Sequence, residues 1–327
     1  MKLGILGTGM IVNDFLSTAH VLDWEKAYIL STPRSLEKAQ GLKEKYNLDG
    51  IFTDYEELLQ TDVDTIYVGL PNHVHYLFAK KALLAGKHVI MEKPVTSNIE
   101  EFEDLVKISK ETNTMLLEAV TVHHMPAFKA LKKEIAKVGT IKIVTFNYSQ
   151  YSSRYNAFKE GNILPAFDVH KSGGALMDLN VYNINALIGL FGNPKKMEYL
   201  PNIEKEIDTS GIATLDYGTF KAIAIGAKDC KAPIINTIQG DLGVIVIEGP
   251  VSRIRKFTFI DNAGKETVFE FDSQTHGMSY EFIEFKRIID QQDEKAYQEL
   301  LEISRLVCQN MTTSRRVAGV IFDADNL

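Results

Sequence analysis

Lys2-Leu3-Gly4-Ile5-Leu6-Gly7-Thr8-Gly9-Met10-Ile11-Val12 is the stretch that decides the fold. Lys2–Leu6 reads as a buried strand, and the apolar spacing from Ile11 to His20 reads as a helix. Between them Gly7 permits a tight turn and Gly9 lets a pyrophosphate approach the backbone. The N-terminus of the following helix offers free N–H groups and a positive dipole end, so Gly7, Thr8, Gly9, Met10 and Ile11 form a candidate phosphate cradle. Val12 occupies the third glycine position of a G-x-G-x-x-G pattern. That glycine serves helix–strand packing, so its replacement is expected to loosen packing and not to remove phosphate binding.

The next strand, Ala27–Ser31, runs into Ser31-Thr32-Pro33-Arg34. NAD-binding folds place an Asp or Glu near this point to hold the ribose 2′-hydroxyl. No acid stands here. Ser31 and Thr32 can hydrogen-bond a 2′-phosphate, and Arg34 or Lys38 can neutralise it. NADP(H) is therefore expected over NAD(H), with NAD(H) the second choice.

Working outward, strand and helix signals alternate. Ser35–Tyr46, Val74–Ala85 and a helix opened by a capping box at Ser97-Asn98-Ile99-Glu100 separate the short strands Thr65–Gly69, His88–Met91 and Met115–Ala119. This repetition predicts a parallel sheet with right-handed crossovers. After a helical Ala127–Ala136 the pattern changes. Thr140–Tyr151, Gly211–Tyr217, Phe220–Ile225, Ile234–Ile247, Phe257–Ile260 and Val268–Phe271 read as strands joined by turns such as Asp216-Tyr217-Gly218 and Asp261-Asn262-Ala263-Gly264. Such strands without helices between them predict a mostly antiparallel sheet. Helices Met278–Ile289 and Glu294–Met311 close the chain. The class is α/β: a Rossmann domain over 1–121, then an α/β domain over 122–327 built on a large, mostly antiparallel sheet.

Composition agrees. A chain of 327 residues suggests two domains, and the size buries about 75% of its unfolded surface without staples. Hydrophobic residues are 45% and charged ones 24%, which argues against disorder. A net charge of −7 gives no reason to bind nucleic acid or an anionic membrane. Cys230 and Cys308 make neither a disulfide framework nor a zinc site, and a cytoplasmic setting is expected. No apolar run reaches the length of a membrane span, and a signal peptide is not expected before a chain that enters a strand at once. His, Asp and Glu do not recur at metal-ligand spacing, so no metal is expected.

Leu70-Pro71-Asn72-His73-Val74-His75 and Ala85-Gly86-Lys87-His88-Val89-Ile90-Met91-Glu92-Lys93-Pro94 follow or end strands, where open parallel sheets bind ligands. With the glycine turn they resemble the Gfo/Idh/MocA oxidoreductase family, which carries P-N-x-x-H and A-G-K-H-V-x-x-E-K-P segments in this order. Gly173-Gly174-Ala175-Leu176-Met177-Asp178-Leu179-Asn180-Val181-Tyr182 resembles the family's G-G-x-L-x-D-x-G-x-Y/H segment, so the resemblance covers both domains. It implies that Pro71, Asn72 and His75 line the cofactor and that Glu92 holds the nicotinamide end. It also implies that Lys93 is the catalytic-site lysine, with Asp178 and Tyr182 the other polar members. Tyr182, where many members have His, resembles the branch of dihydrodiol dehydrogenases and glucose–fructose oxidoreductase. Asn180 stands where members commonly have Gly, and Asn tolerates a positive φ.

The residue types suit hydride chemistry. Interconverting C–OH and C=O requires a proton to leave or join the substrate oxygen. A lysine ammonium beside a tyrosine stabilises phenolate and lowers a pKa near 10. Asp178 lies four residues before Tyr182, on the same face if that segment is helical, where it would orient the tyrosine or the substrate. The expected activity is an NAD(P)-dependent oxidoreductase acting on a sugar, polyol or dihydrodiol. A homodimer or tetramer is expected, chiefly from the resemblance. Two alternatives keep the fold: a dinucleotide-sensing regulator without catalysis, and a glycoside-cleaving enzyme that uses NAD transiently. His123, His124, Asp168 and His170 lie near the expected pocket with no role assigned by sequence.

Overall fold

The computed structural model describes residues 1–18, 21–272 and 275–326. The expected helix Ile11–His20 is present as α1 (Met10–Ser17), and its last two positions, Ala19 and His20, lie outside the described residues. Strands β1 (Lys2–Leu6), β2 (Lys26–Leu30), β3 (Gly50–Phe52), β4 (Thr65–Val68), β5 (His88–Glu92) and β6 (Leu116–Ala119) alternate with helices. Those helices are α1, α2 (Leu36–Tyr46), α3 (Tyr55–Leu59), α4 (His75–Leu84) and α5 (Ile99–Glu111). The rest of the chain runs α6 (Pro126–Glu134), β7 (Ile141–Ser149), α7 (Tyr155–Lys159), α8 (Val181–Phe191), β8 (Lys196–Glu204), β9 (Ile207–Asp216) and β10 (Lys221–Ala227). It ends with β11 (Ile235–Gly240), β12 (Gly243–Glu248), β13 (Lys256–Asp261), β14 (Glu266–Glu270), α9 (Gly277–Gln291) and α10 (Glu294–Val317).

The chain forms two units, Met1–Ala119 with Met278–Arg305, and Val120–Gly277 with Leu306–Leu327. In the first, six parallel strands lie in the order β3-β2-β1-β4-β5-β6. The order reverses between β1 and β4, the switch point where such sheets open a crevice. Leu3, Ile5, Ile29, Ile66, Val68, Val89 and Ile90 are buried, as a sheet covered on both faces requires. Residues of α9 belong to this unit because Phe282 packs on Phe15 and Tyr67, with ring centroids 4.3 and 5.1 Å apart.

In the second unit, eight strands lie in the order β14-β13-β12-β11-β7-β10-β9-β8. Among the described residues of this sheet, only β7 and β10 pair in parallel. Val144, Phe146, Ala222, Ala224 and Ala213 are buried on one face, while Ile143, Ile212 and Leu200 are exposed on the other.

Three local readings change. The apolar run Ile234–Ile247 is two strands, not one, because Asp241 and Leu242 turn the chain between β11 and β12. A side chain at Gly240 would lie 2.0 Å from the Val138 carbonyl, and Gly243 adopts φ 158°. The cap of α5 sits one residue later than expected: Asn98 accepts from Glu101 N, and Glu101 accepts from Ser97 N. Strand β8 alternates exposed and buried residues from Lys196 to Leu200, a period-2 signal masked by Pro201.

Candidate active site

Gly7 has φ +105°, its N–H donates to Leu30 O, and a Cβ there would lie 2.8 Å from Gly69 O. Gly9 caps α1 without a side-chain acceptor, and a Cβ there would meet nothing within 4 Å. The first turn of α1 carries no acid. The cradle is thus open toward its ligand side and keeps its N–H groups and dipole for an anion. The expected loosening at Val12 does not occur. Val12 is fully buried, and a Cβ at Gly69 would lie 2.6 Å from Val12 Cγ2. The small residue of this contact stands at the end of β4 instead of in α1.

At the end of β2, Ser31 N donates to Phe52 O, while Ser31 Oγ is buried without a hydrogen-bond partner. An orphaned buried hydroxyl at this position fits a ribose or 2′-phosphate oxygen. Thr32 and Ser35 hydroxyls lie 3.0 Å apart at the cap of the short turn Pro33–Ser35. Arg34 and Lys38 are exposed and have no ion-pair partner among the described residues. The donor set and the open cradle fit a phosphorylated dinucleotide.

After β4, Pro71 is extended and leads into the short turn Asn72–Val74, with Asn72 half-buried. His75 is fully buried, its Nδ1 3.0 Å from Pro94 O and its Nε2 2.8 Å from Leu70 O. Both ring nitrogens are engaged by main chain, so His75 ties the two motif segments together from within. Burial lowers its pKa. A neutral ring donates to one carbonyl only.

Glu92 ends β5 and accepts from Tyr67 Oη at 2.7 Å. Burial pushes its carboxyl up to about 7, against the opposing pull of the Tyr67 hydrogen bond and the Lys93 charge. Lys93 is half-buried, and its peptide bond to Pro94 is cis. Glu118 accepts from Val95 N at 3.0 Å, and burial pushes it up to about 7. Burial and the nearby Glu92 hold Glu281 of α9 well above the usual carboxylate range. Sequence reading passed over both of these acids, because a Glu within an apolar strand or on a helix carries no mark of where it is buried.

In the second unit Gly174 has φ +103°, and a Cβ there would lie 2.0 Å from Asp208 Oδ1. Asp208 is fully buried and accepts from Leu176 N at 2.7 Å and Tyr199 Oη at 2.6 Å. It fixes the start of the segment that carries Asp178. Leu176–Asn180 is one π turn, and α8 begins at Val181. Such turns gather at functional sites. Asp178 and Tyr182 straddle the change of helix type. Asp178 Oδ2 lies 2.9 Å from Lys228 Nζ, whose side chain is only 1% exposed. Lys228 also donates to Ala166 O and lies 4.3 Å from the centre of the Phe167 ring. Lys228 was absent from the sequence reading, since a Lys after strand β10 reads as an ordinary turn residue. The Tyr182 ring lies 6.1 Å from that of Tyr148.

Asn180 has φ −71°, in the right-handed region, so the tolerance of Asn for positive φ is not used. It donates to Ala224 O and accepts from Asn183 Nδ2. A Cβ at Gly226 would lie 2.7 Å from Asn180 Cβ, so a glycine in β10 gives the larger residue its space.

His123 Nε2 lies 2.9 Å from Asn185 Oδ1, and burial pulls its pKa down to about 4. His124 is buried and held well below its usual range. Asp168 accepts from His170 N, and His170 Nδ1 lies 2.8 Å from Asp323 Oδ1. Among the described residues no group of three or more His, Cys, Asp or Glu is placed to hold a metal ion.

The profile of the Gfo/Idh/MocA oxidoreductase family, NAD-binding Rossmann fold, matches residues 1–120. The scyllo-inositol 2-dehydrogenase (NADP(+)) IolU of Bacillus subtilis is 32% identical over 99% of both chains. A trans-1,2-dihydrobenzene-1,2-diol dehydrogenase of Danio rerio is 24% identical over 100% of this chain and 99% of its own. The 3-ketoreductase KijD10 of Actinomadura kijaniata, solved with NADP and TDP-benzene, superposes with a TM-score of 0.83 over 97% of both chains at 20% identity. The 32% identity with the Bacillus subtilis enzyme along 99% of both chains, together with the profile match over residues 1–120, establishes that the protein belongs to the Gfo/Idh/MocA oxidoreductase family.

Proposed function

We propose that the protein is an NADP(H)-preferring oxidoreductase that interconverts a secondary alcohol and a carbonyl on a sugar, polyol or dihydrodiol. The observation that carries this reading is the full-length match to the NADP(+)-dependent scyllo-inositol dehydrogenase. The orphaned Ser31 hydroxyl and the exposed Arg34 and Lys38 support the choice of NADP(H).

Gly7, Thr8, Gly9, Met10 and Ile11 would hold the pyrophosphate, and Ser31, Thr32, Arg34 and Lys38 the 2′-phosphate. Pro71, Asn72 and Glu92 would line the nicotinamide side, with His75 setting the shape of that segment. When bound, the nicotinamide accepts or donates the hydride. In the oxidation direction Tyr182 Oη takes the substrate hydroxyl proton, and the Lys93 ammonium stabilises the phenolate. The reverse direction returns the proton from Tyr182 Oη to the carbonyl oxygen. Asp178, anchored by Lys228, orients substrate hydroxyls. Glu92, next to Lys93 in the chain, gains a negative charge only as pH approaches about 7.

The exposed Ile143, Ile212 and Leu200 on the open sheet face support a homodimer or tetramer, and sedimentation of the purified chain tests it. Among the described residues no helix is long and apolar enough to cross a membrane. The two unpaired cysteines support a cytoplasmic setting.

The deciding experiment follows nicotinamide absorbance with NADP⁺ and NAD⁺ against inositols, aldoses and dihydrodiols, and with the reduced cofactors against the matching carbonyls. Turnover with NADP(H) favoured is expected. Tyr182→Phe and Lys93→Met are each expected to lower kcat by about 10²–10⁴. Full turnover in both variants overturns the acid/base assignment, and tighter binding of NADH than NADPH overturns the cofactor preference.

A further inference from the structure

The second unit contains a cleft of 730 Å³ lined in part by Tyr148, Tyr151, Lys231, Arg253 and Arg255. This volume lies within the range of small-molecule sites. Tyr148 connects the cleft to the catalytic side chain, because its ring is the one that lies 6.1 Å from Tyr182. The charges in the cleft are one-sided. The single acid of the lining, Glu248, is bound to Lys256 at 2.9 Å. Lys231, Arg253 and Arg255 are exposed and have no carboxylate partner among the described residues. Three uncompensated cations converge on one cleft in a chain whose net charge is −7.

The base beneath these cations is ordered. Arg253 ends a short helical turn in which Val251 and Ile254 are buried and Arg253 N donates to Pro250 O. Thr121 Oγ1 donates to Ser252 O in the same turn. Arg253 at the end of this turn and Arg255 just before β13 supply two guanidinium groups, which suit the bidentate geometry of phosphate and carboxylate. Tyr148 and Tyr151 line the same cleft as these cations, and the Tyr148 ring is the one near Tyr182. A neutral polyol would leave all three cations without a counter-charge.

We propose that this cleft binds an anionic carbohydrate, with a phosphate or carboxylate held by Arg253, Arg255 and Lys231 and the reacting carbinol at Tyr182. The proposal rests on the oxidoreductase reading and narrows its substrate class. It places the enzyme after a reaction that installs the anionic group, such as phosphoryl transfer to a sugar or oxidation of a primary alcohol to an acid.

The test is calorimetric titration of the full-length protein, saturated with NADP⁺ so that the dinucleotide site is filled. The probes are inorganic phosphate, glucose 6-phosphate and glucuronate, with glucose and scyllo-inositol as neutral counterparts. The charged probes are expected to bind at least tenfold more tightly than the neutral ones, with an affinity that falls as salt is raised. The phosphate and carboxylate arms separate the two sources of the anion. The double variant Arg253→Ala/Arg255→Ala is expected to lose tenfold or more for the charged probes, while Lys142→Ala, on exposed β7 surface, changes nothing. Equal affinity for charged and neutral probes, or an unchanged double variant, overturns the proposal. Anion binding lost in the double variant of a protein that turns over no substrate would keep the cleft and reject the oxidoreductase reading. Turnover of neutral polyols with no preference for charged ones would do the opposite.

Discussion

The first unit buries three carboxyl groups, Glu92, Glu118 and Glu281, whereas the second buries a lysine, Lys228, beside a carboxylate. Each solves the same problem, since a charge removed from water is costly unless it is neutralised or paired. In the first unit the solution is a proton: burial pushes Glu92 and Glu118 to about 7 and Glu281 higher. In the second it is a partner, Asp178 at 2.9 Å, with the Ala166 carbonyl and the Phe167 ring also against the ammonium. Asp208 falls between them. Two donors compensate part of its burial, and it rises only to about 6. The lesson concerns pH. A buried acid neutralised by a proton makes stability depend on pH near neutrality, and a buried ion pair does not.

The largest expected effect comes from breaking the pair. Lys228→Met removes the ammonium that Asp178 and the Ala166 carbonyl face. Removing one member of a buried pair costs about 3–5 kcal/mol. Asp178 is 34% exposed and regains some water, so the lower end, about 3 kcal/mol, is expected in urea unfolding. The loss should be similar at pH 6 and pH 8, and activity should fall as Asp178 loses the Lys228 ammonium. A variant as stable as the parent would show that the pair contributes nothing.

Removing a buried acid tests the other side. Folding raises the Glu118 pKa from 4.5 to about 7, so the native state holds the proton more tightly than the unfolded chain. The stability that this proton supplies is complete below about pH 4.5 and is lost as pH rises through about 7. Above that pH the ionised group costs up to about 3 kcal/mol. Glu118→Gln is therefore expected to be more stable than the parent at pH 8 and to lose less melting temperature between pH 5 and pH 8. An unchanged slope would mean that Glu118 is already ionised at pH 5.

The smallest effects sharpen a second contrast between the units. Each has placed a larger residue where a glycine was expected and a glycine on the neighbouring strand, Val12 against Gly69 and Asn180 against Gly226. Gly69→Ala and Gly226→Ala should each cost about 1–3 kcal/mol through overpacking. The rescues should differ. Val12→Ala removes the methyl group that a Gly69→Ala side chain meets, so the double variant should recover part of the loss. Asn180→Gly also removes the clash, but it deletes the hydrogen bonds to Ala224 O and Asn183 Nδ2, so no recovery is expected. Equal recovery in both units would show that Asn180 acts by volume alone.

The architecture and the principal motifs were legible along the chain, because those signals are local. A strand, a glycine at φ +105° and a helix with an open N-terminus follow one another within residues 2–17, and each is a requirement of the backbone at that point. The switch from alternating helices to consecutive strands likewise follows from pattern along the chain. The tertiary structure alone decided what those motifs touch. Asp178 and Lys228 are far apart in sequence and meet through the placement of the segment before α8 against the end of β10, and no local period records such a pairing. The Gly69 and Gly226 contacts, the His75 ring between two carbonyls and the cation-lined cleft belong to the same class. Burial, and with it pKa and charge compensation, depends on neighbours brought together only when the chain folds.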